Sequence, residues 1–294
     1  MHFRNLFLIS ALFLGLFADS YANSIKDYLI YVLSFMMSLS LQSISVTIFK
    51  PQLKILKPIF TSILLNYFIF GLLLMLLVSL IIPYNRELYI GFFLIAIAPP
   101  GVVIVPFAVR MNADVNHAAI GVVGAYLFLL LLFPLSMFFL SVDVHFSSVF
   151  HLIFFSVILP IFASRLFRLP FIFKYSKKYQ SFLIDVSFFV LIYVVIGINK
   201  SVLIDDFSVS FLPVVVLSIL MFPVSLLTLY FMRKFGFSKP AQINNLLMLM
   251  VKNNGFSAVS ALTLFGSVAS IPSAALSVVL LIFLLVLPYA FIDK

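Results

Sequence analysis

Uncharged runs of membrane-spanning length recur along the chain: Tyr28–Phe49, Pro58–Asn85, Leu88–Val109, Ala118–Val142, Val144–Ser164 and Phe207–Met232. Each reaches the roughly 20 apolar residues that an α-helix needs to cross the hydrocarbon core of a bilayer. Tyr179–Asn199 joins them with one interruption, Asp185, and Pro240–Phe265 with another, Lys252. The uncharged stretch from Asn253 to Ile292 is too long for one helix, and the Gly, Ser and Pro cluster at Gly266–Ser273 predicts a turn that divides it. These segments make nine spans, and the shorter run Asn5–Ala18 makes a tenth. That first run also reads as a signal peptide, because Arg4 precedes an apolar stretch, Leu6–Phe17, and the ending Ser20-Tyr21-Ala22. A retained helix is preferred, since ten spans divide into two equal sets.

Composition decides the solvent. Of 294 residues, 64% are hydrophobic and 9% charged, where soluble domains are about one quarter charged, so the chain reads as an integral, multi-pass membrane protein. Without cysteine there is no disulfide, thiol nucleophile or thiolate metal site, and His2, His117, His145 and His151 show no paired metal-ligand spacing. No Gly-rich phosphate loop is present, and neither enzymatic activity nor a cofactor is expected.

The net charge of +9 raises nucleic acid as a partner, but its distribution points to topology instead. With ten spans, one side of the membrane carries fourteen basic residues: Arg4, Lys50, Lys54, Lys57, Arg110, Arg165, Arg168, Lys174, Lys177, Lys178, Arg233, Lys234, Lys239 and Lys294. The other side carries three, Lys26, Arg86 and Lys200. This bias predicts a plasma (inner) membrane protein with both termini in the cytoplasm. The stretch KYSKK, Lys174–Lys178, is also placed to attract anionic lipid headgroups.

Two spans break their own pattern. Glu87–Arg110 has Pro99, Pro100 and Gly101 at its centre, and adjacent prolines remove two backbone donors and clash with the preceding turn. The ninth span has Lys252, Asn253, Asn254 and Gly255 at its centre. Lys252 lies thirteen residues from Lys239 and fourteen from Gly266, too deep to snorkel easily. An ammonium there costs at least ~2.5–3.5 kcal/mol. The fourth and ninth spans hold equivalent places in two sets of five, residues 1–142 and 143–294, and an odd set inverts the second. Interrupted spans at matching places of inverted repeats point to a transporter's binding site. The candidate residues are Pro100, Gly101, Lys252, Asn253, Asn254 and Gly255, with Asn66, Tyr126 and Asp185 as accessories. Asp185 lies near the basic 165–178 loop and reads first as a local ion-pair partner. Ser38, Gln42 and Ser45 either line the core or link helices, and His117 reads as interfacial.

These residues resemble the bile acid:sodium symporter family and its wider superfamily, which includes auxin-efflux-type carriers. The likeness covers about residues 28–292 and is sharpest in APPGVVIVPFAVRMNADVNHAAIGV, Ala98–Val122, and KNNGFSAVSALTLFGSVASIPSAALSVV, Lys252–Val279. VLIYVVIGINK, Val190–Lys200, is similar to the family's seventh helix. The resemblance implies an all-α fold of ten transmembrane helices in two inverted five-helix repeats. Broken helices four and nine would cross in a core domain that moves against a panel domain. It also implies transport of a small organic anion, typically with sodium.

The matching positions depart from the family at its sodium ligands. Val105 and Pro106 stand where the family carries Ser and Asn, Ala125 and Tyr126 near its hydroxyl ligands, and Met248 and Lys252 at its Glu and Gln. The resemblance therefore implies a degenerate sodium site, with Lys252 standing in for the cation. One alternative is a proton-coupled or uniport carrier of the auxin-efflux type, with Lys252 loading and losing a proton. Another class is a transporter-derived membrane receptor or scaffold. The plainest role for Lys252 is a fixed structural cation on broken-helix carbonyls. The partners expected are the organic anion and the lipid bilayer.

Overall fold

Prolines, glycines and asparagines set most of the helix ends. The computed structural model describes residues 2–42, 53–83, 85–101, 103–139, 146–205 and 207–291, which are almost wholly helical and contain no strand. The longer helices are α1 (His2–Phe17), α2 (Leu29–Leu41), α3 (Leu53–Ile81), α4 (Arg86–Ile97), α5 (Ile104–Arg110) and α6 (Val115–Phe139). They continue as α7 (Ser147–Leu166), α8 (Pro170–Ile198), α9 (Val209–Lys234), α10 (Lys239–Met250), α11 (Asn254–Phe265) and α12 (Ser267–Val286). Asn85 caps α4 by accepting from the Leu88 amide at 3.1 Å, and Asp114 caps α6 by accepting from the His117 amide at 2.9 Å. Proline opens α8 and stands in the first turn of α10, where its missing N–H costs nothing.

Among the described residues, seven helical stretches are long and apolar enough to cross a membrane: Asp19–Leu41, α3, Val115–Phe138, α7, α8, α9 and Ser267–Phe291. The chain is an all-α, multi-pass membrane protein. Its outer surface agrees, since exposed leucines form stripes at helical spacing, Leu72, Leu76 and Leu80 on α3 and Leu127, Leu131 and Leu135 on α6. Hydrocarbon solvates such stripes, whereas water would drive them together.

Two sequence expectations need correction. The turn predicted over Gly266–Ser273 is confined to Gly266, at φ +93°, and α12 runs straight through Pro272. Pro272 lies near the start of α12, where the loss of one bond is supported by packing: its ring lies against the bare Cα of Gly91 on α4. The basic loop predicted at 165–178 ends at Leu169, because α8 begins at Pro170 and carries Lys174, Lys177 and Lys178 on its first turns. Lysines do not break helices. At 1.5 Å per residue the 29 residues of α8 run ~43 Å, longer than the ~30 Å hydrocarbon core, which leaves its basic end at headgroup depth. The predicted boundary at 142/143, and the candidates Ser45 and His145, lie outside the described residues.

Helix pairing follows a pattern. α1 packs along α8, and α7 packs along α2. α3 packs along α6, and α9 along α12. α2 meets α8, and α4 lies on α12 and against α11. At one end the Lys200 ammonium bonds Asp19 at 2.8 Å. Elsewhere the Arg233 guanidinium donates to the Ala290 carbonyl at 2.7 Å, and the Asn244 amide to the Asp114 carbonyl at 2.9 Å.

Candidate functional site

The two interruptions predicted from sequence meet. α4 ends at Ile97 and α5 starts at Ile104, while α10 ends at Met250 and α11 starts at Asn254. Ala98 and Val251 turn the chain extended, and the two extended stretches pair antiparallel, with Pro100 opposite Lys252. The Gly101 amide donates to the Val251 carbonyl at 2.8 Å, and the Asn253 amide to the Pro99 carbonyl at 2.7 Å. Each break thus supplies partners for groups freed by the other, as irregular backbone within a membrane must. Gly101 allows the approach: a Cβ there would stand 3.0 Å from both the Lys252 carbonyl oxygen and Val251 Cγ1.

Lys252 is 1% exposed, and its ammonium makes three bonds of 2.9 Å. It donates to the Asn66 carbonyl, to Asn66 Oδ1 and to the Ala96 carbonyl. Both carbonyls are left over by irregular helix. Ala96 stands four residues before Pro100, which has no N–H to offer it. α3 widens to a π-turn over Leu64–Ile69, so the Phe70 amide bonds the Leu65 and Tyr67 carbonyls and bypasses Asn66. The rings of Tyr67 and Phe70 lie 5.2 and 4.8 Å from Nζ, within cation–π reach. The Asn66 side chain also donates through Nδ2 to the Met248 carbonyl at 3.2 Å. Lys252 therefore bonds the C-terminal end of α4 directly and reaches that of α10 through the Asn66 amide, and helix dipoles concentrate negative charge at both ends.

Three acceptors around one nitrogen match the three N–H donors of an ammonium. An ammonium has three N–H donors, whereas a neutral amine has two and would turn a lone pair toward an oxygen. The arrangement suits a positive charge with its donors all engaged.

Asn253 and Asn254 face elsewhere. Asn253 caps α11 through Oδ1, which accepts from the Phe256 amide at 3.1 Å, and its Nδ2 donates to the Tyr126 hydroxyl at 2.6 Å and to Met37 Sδ at 3.1 Å. Asn254 donates to Ser277 Oγ on α12, and Ser273 Oγ donates to Ser257 Oγ at 2.9 Å. Further along α12, Ser270 Oγ accepts from Asn199 Nδ2 at 2.9 Å. Ser270, Ser273 and Ser277 are all buried and form a polar seam on one face. Sequence reading missed them because it placed Ser270 and Ser273 in a turn, although their i, i+3, i+7 spacing marks a helix face.

Of the predicted residues, Pro100, Gly101, Lys252 and Asn253 come together where the two extended stretches pair, with Asn66 joined through Lys252 and Tyr126 through Asn253. Gly255 is a packing position: a Cβ there would meet Leu33 and Leu191 at 3.0 and 3.2 Å. Asp185 is half-buried on α8 and takes no part in the bonds of Lys252. Among the described residues, the buried amide of Gln42 has no hydrogen-bond partner for either atom. Where the resemblance implies lost sodium ligands, the Ala125 carbonyl accepts from the Tyr67 hydroxyl at 2.8 Å and Met248 Sδ from Ser62 Oγ at 3.2 Å. Among the described residues no group of three or more His, Asp or Glu could hold a metal ion. No protein-family model and no curated protein matches the chain.

Proposed function

We propose that the chain is a secondary transporter of a small organic anion, built like the bile acid:sodium symporters, in which the Lys252 ammonium stands in for the coupling cation. The observation that carries this reading is the Lys252 ammonium itself, held by three oxygens between the ends of two broken helices. A hard cation takes oxygen ligands, and the ammonium brings the same charge on a covalent tether. The bonds at Lys252 favour a charge that stays in place over a proton carrier, since the full set of acceptors suits only the protonated form.

The ten-helix, inverted-repeat reading adds α1 and the two broken pairs, α4–α5 and α10–α11, to the seven long stretches. The pairing pattern supports it. If α1, α2, α3 and α6 correspond to α7, α8, α9 and α12, then α1 on α8 repeats as α7 on α2, and α3 on α6 repeats as α9 on α12. The basic asymmetry then sets both termini in the cytoplasm. Reporter fusions after Lys54, Arg168 and Lys239 are expected on the cytoplasmic side and one after Lys200 outside; Arg168 and Lys200 on the same side would dismantle the inverted repeat.

The direct test of transport is uptake of labelled carboxylates into proteoliposomes holding the purified protein. A ligand found by thermal shift should accumulate in a saturable, protein-dependent way. Binding without uptake would make the protein a receptor on a transporter scaffold, and the transport reading would be wrong.

A further inference from the structure

A groove of about 340 Å³ lies between α2 and the first turns of α8, lined by Phe35 and Leu39 on one side and by Phe171, Tyr175, Tyr179 and Leu183 on the other. Its walls are almost entirely apolar carbon, yet its upper end reaches the basic turns of α8. Helical geometry divides the three lysines there. At about 100° per residue, Lys178 stands about 40° and Lys174 about 80° round the helix from the outer lip formed by Phe171 and Tyr175, whereas Lys177 stands about 140° from it. Lys178 Nζ lies 5.1 Å from the ring centroid of Tyr179, a groove-lining side chain, and Lys177 sits instead over Phe173 at 5.6 Å.

Depth completes the picture. The lysines of α8 end at Lys178, and from Tyr179 onward Asp185 is its one charged residue, so the groove straddles the boundary between hydrocarbon and headgroups. Tyr175 and Tyr179, 64% and 46% exposed, have the amphipathic character of side chains at that interface. An apolar slot opening onto a cationic rim at that depth matches a molecule with an acyl chain and a phosphate.

We infer that this groove is a binding site for an anionic phospholipid, its acyl chain between α2 and α8 and its phosphate on Lys174 and Lys178. The inference is independent of what the protein transports. Each lysine contributes on the order of fivefold in affinity for an anionic headgroup. The groove supplies the chain contacts, which a zwitterionic lipid would share without the charge.

Native mass spectrometry of the delipidated protein in detergent, titrated with phosphatidylglycerol or phosphatidylcholine, tests it. Wild type is expected to retain phosphatidylglycerol in preference. Lys174→Gln with Lys178→Gln should weaken it about twenty-five-fold while leaving phosphatidylcholine unchanged. Ile172 also lines the groove, and Ile172→Trp, which fills the slot, should weaken both lipids. Lys177→Gln, on the far face, should stay within about twofold of wild type for both. Equal retention of the two lipids by wild type, or phosphatidylglycerol binding within twofold of wild type in the double variant, would overturn the site.

Discussion

Lys252→Met is expected to yield a folded, helical membrane protein that moves no carboxylate. Methionine keeps the bulk of the lysine stem beside Tyr67 and Phe70 but withdraws the donor from Asn66 Oδ1 and from two carbonyls. Each buried acceptor left unpaired costs about 1–3 kcal/mol. Removing a desolvated charge works in the other direction, and hydrophobic replacements of buried ions are often neutral or stabilising. With three acceptors unpaired and a desolvated charge removed, the net is predicted as a loss of a few kcal/mol, less than the roughly 5–15 kcal/mol that holds a folded domain. Transport should fall to background, because the positive charge at the helix breaks is gone. Lys252→Arg should be impaired as well, since a planar guanidinium does not reproduce a compact donor aimed at three converging oxygens. Uptake at the wild-type rate by the methionine variant would make the lysine purely structural.

The largest loss of stability is predicted at Gly91. α4 lies so close to α12 there that a Cβ would stand 2.2 Å from the Ala269 carbonyl oxygen and 2.9 Å from Pro272 Cγ. Even a weak C–H···O contact needs about 3.3 Å, so alanine would force the helices apart by about 1 Å. Neither obstacle can rotate away, and overpacking against fixed atoms costs about 3 kcal/mol or more. The displacement would also drag Ala96, one of the Lys252 acceptors, out of place. Gly71→Ala is the control, because its Cβ would sit at an ordinary 3.5 Å from Ala96 Cβ. There the gain in helix propensity should leave stability unchanged or raised by up to ~1 kcal/mol. Thermal melting of both variants in detergent checks the pair, and a Gly91→Ala midpoint equal to that of Gly71→Ala would show that α4 and α12 are not this close.

The breaks were legible because their causes are local. Pro99 and Pro100 cannot donate to the preceding turn, and a lysine followed by two asparagines and a glycine announces itself in an apolar run. The extents of α8 and α12 are hidden for the complementary reason, since Lys174–Lys178 and Pro272 look like loop residues but stand where a helix tolerates them. What sequence could not supply was the company that Lys252 keeps. In the sequence Asn66 reads only as an accessory, because its link to Lys252 spans 186 positions. Its free carbonyl depends on a π-turn that no residue in Leu64–Ile69 signals. Ala96 is apolar and offers only backbone, so no pattern of side chains could mark it.

The most direct measurement of the central claim is carboxylate uptake into proteoliposomes with sodium replaced by potassium or choline at constant ionic strength. If Lys252 holds the place of the cation, uptake should be the same in all three media, and no sodium concentration should alter the apparent affinity for the carboxylate. A saturable sodium requirement in the wild-type protein would contradict it, because an ion would then be filling a site that the ammonium is proposed to occupy.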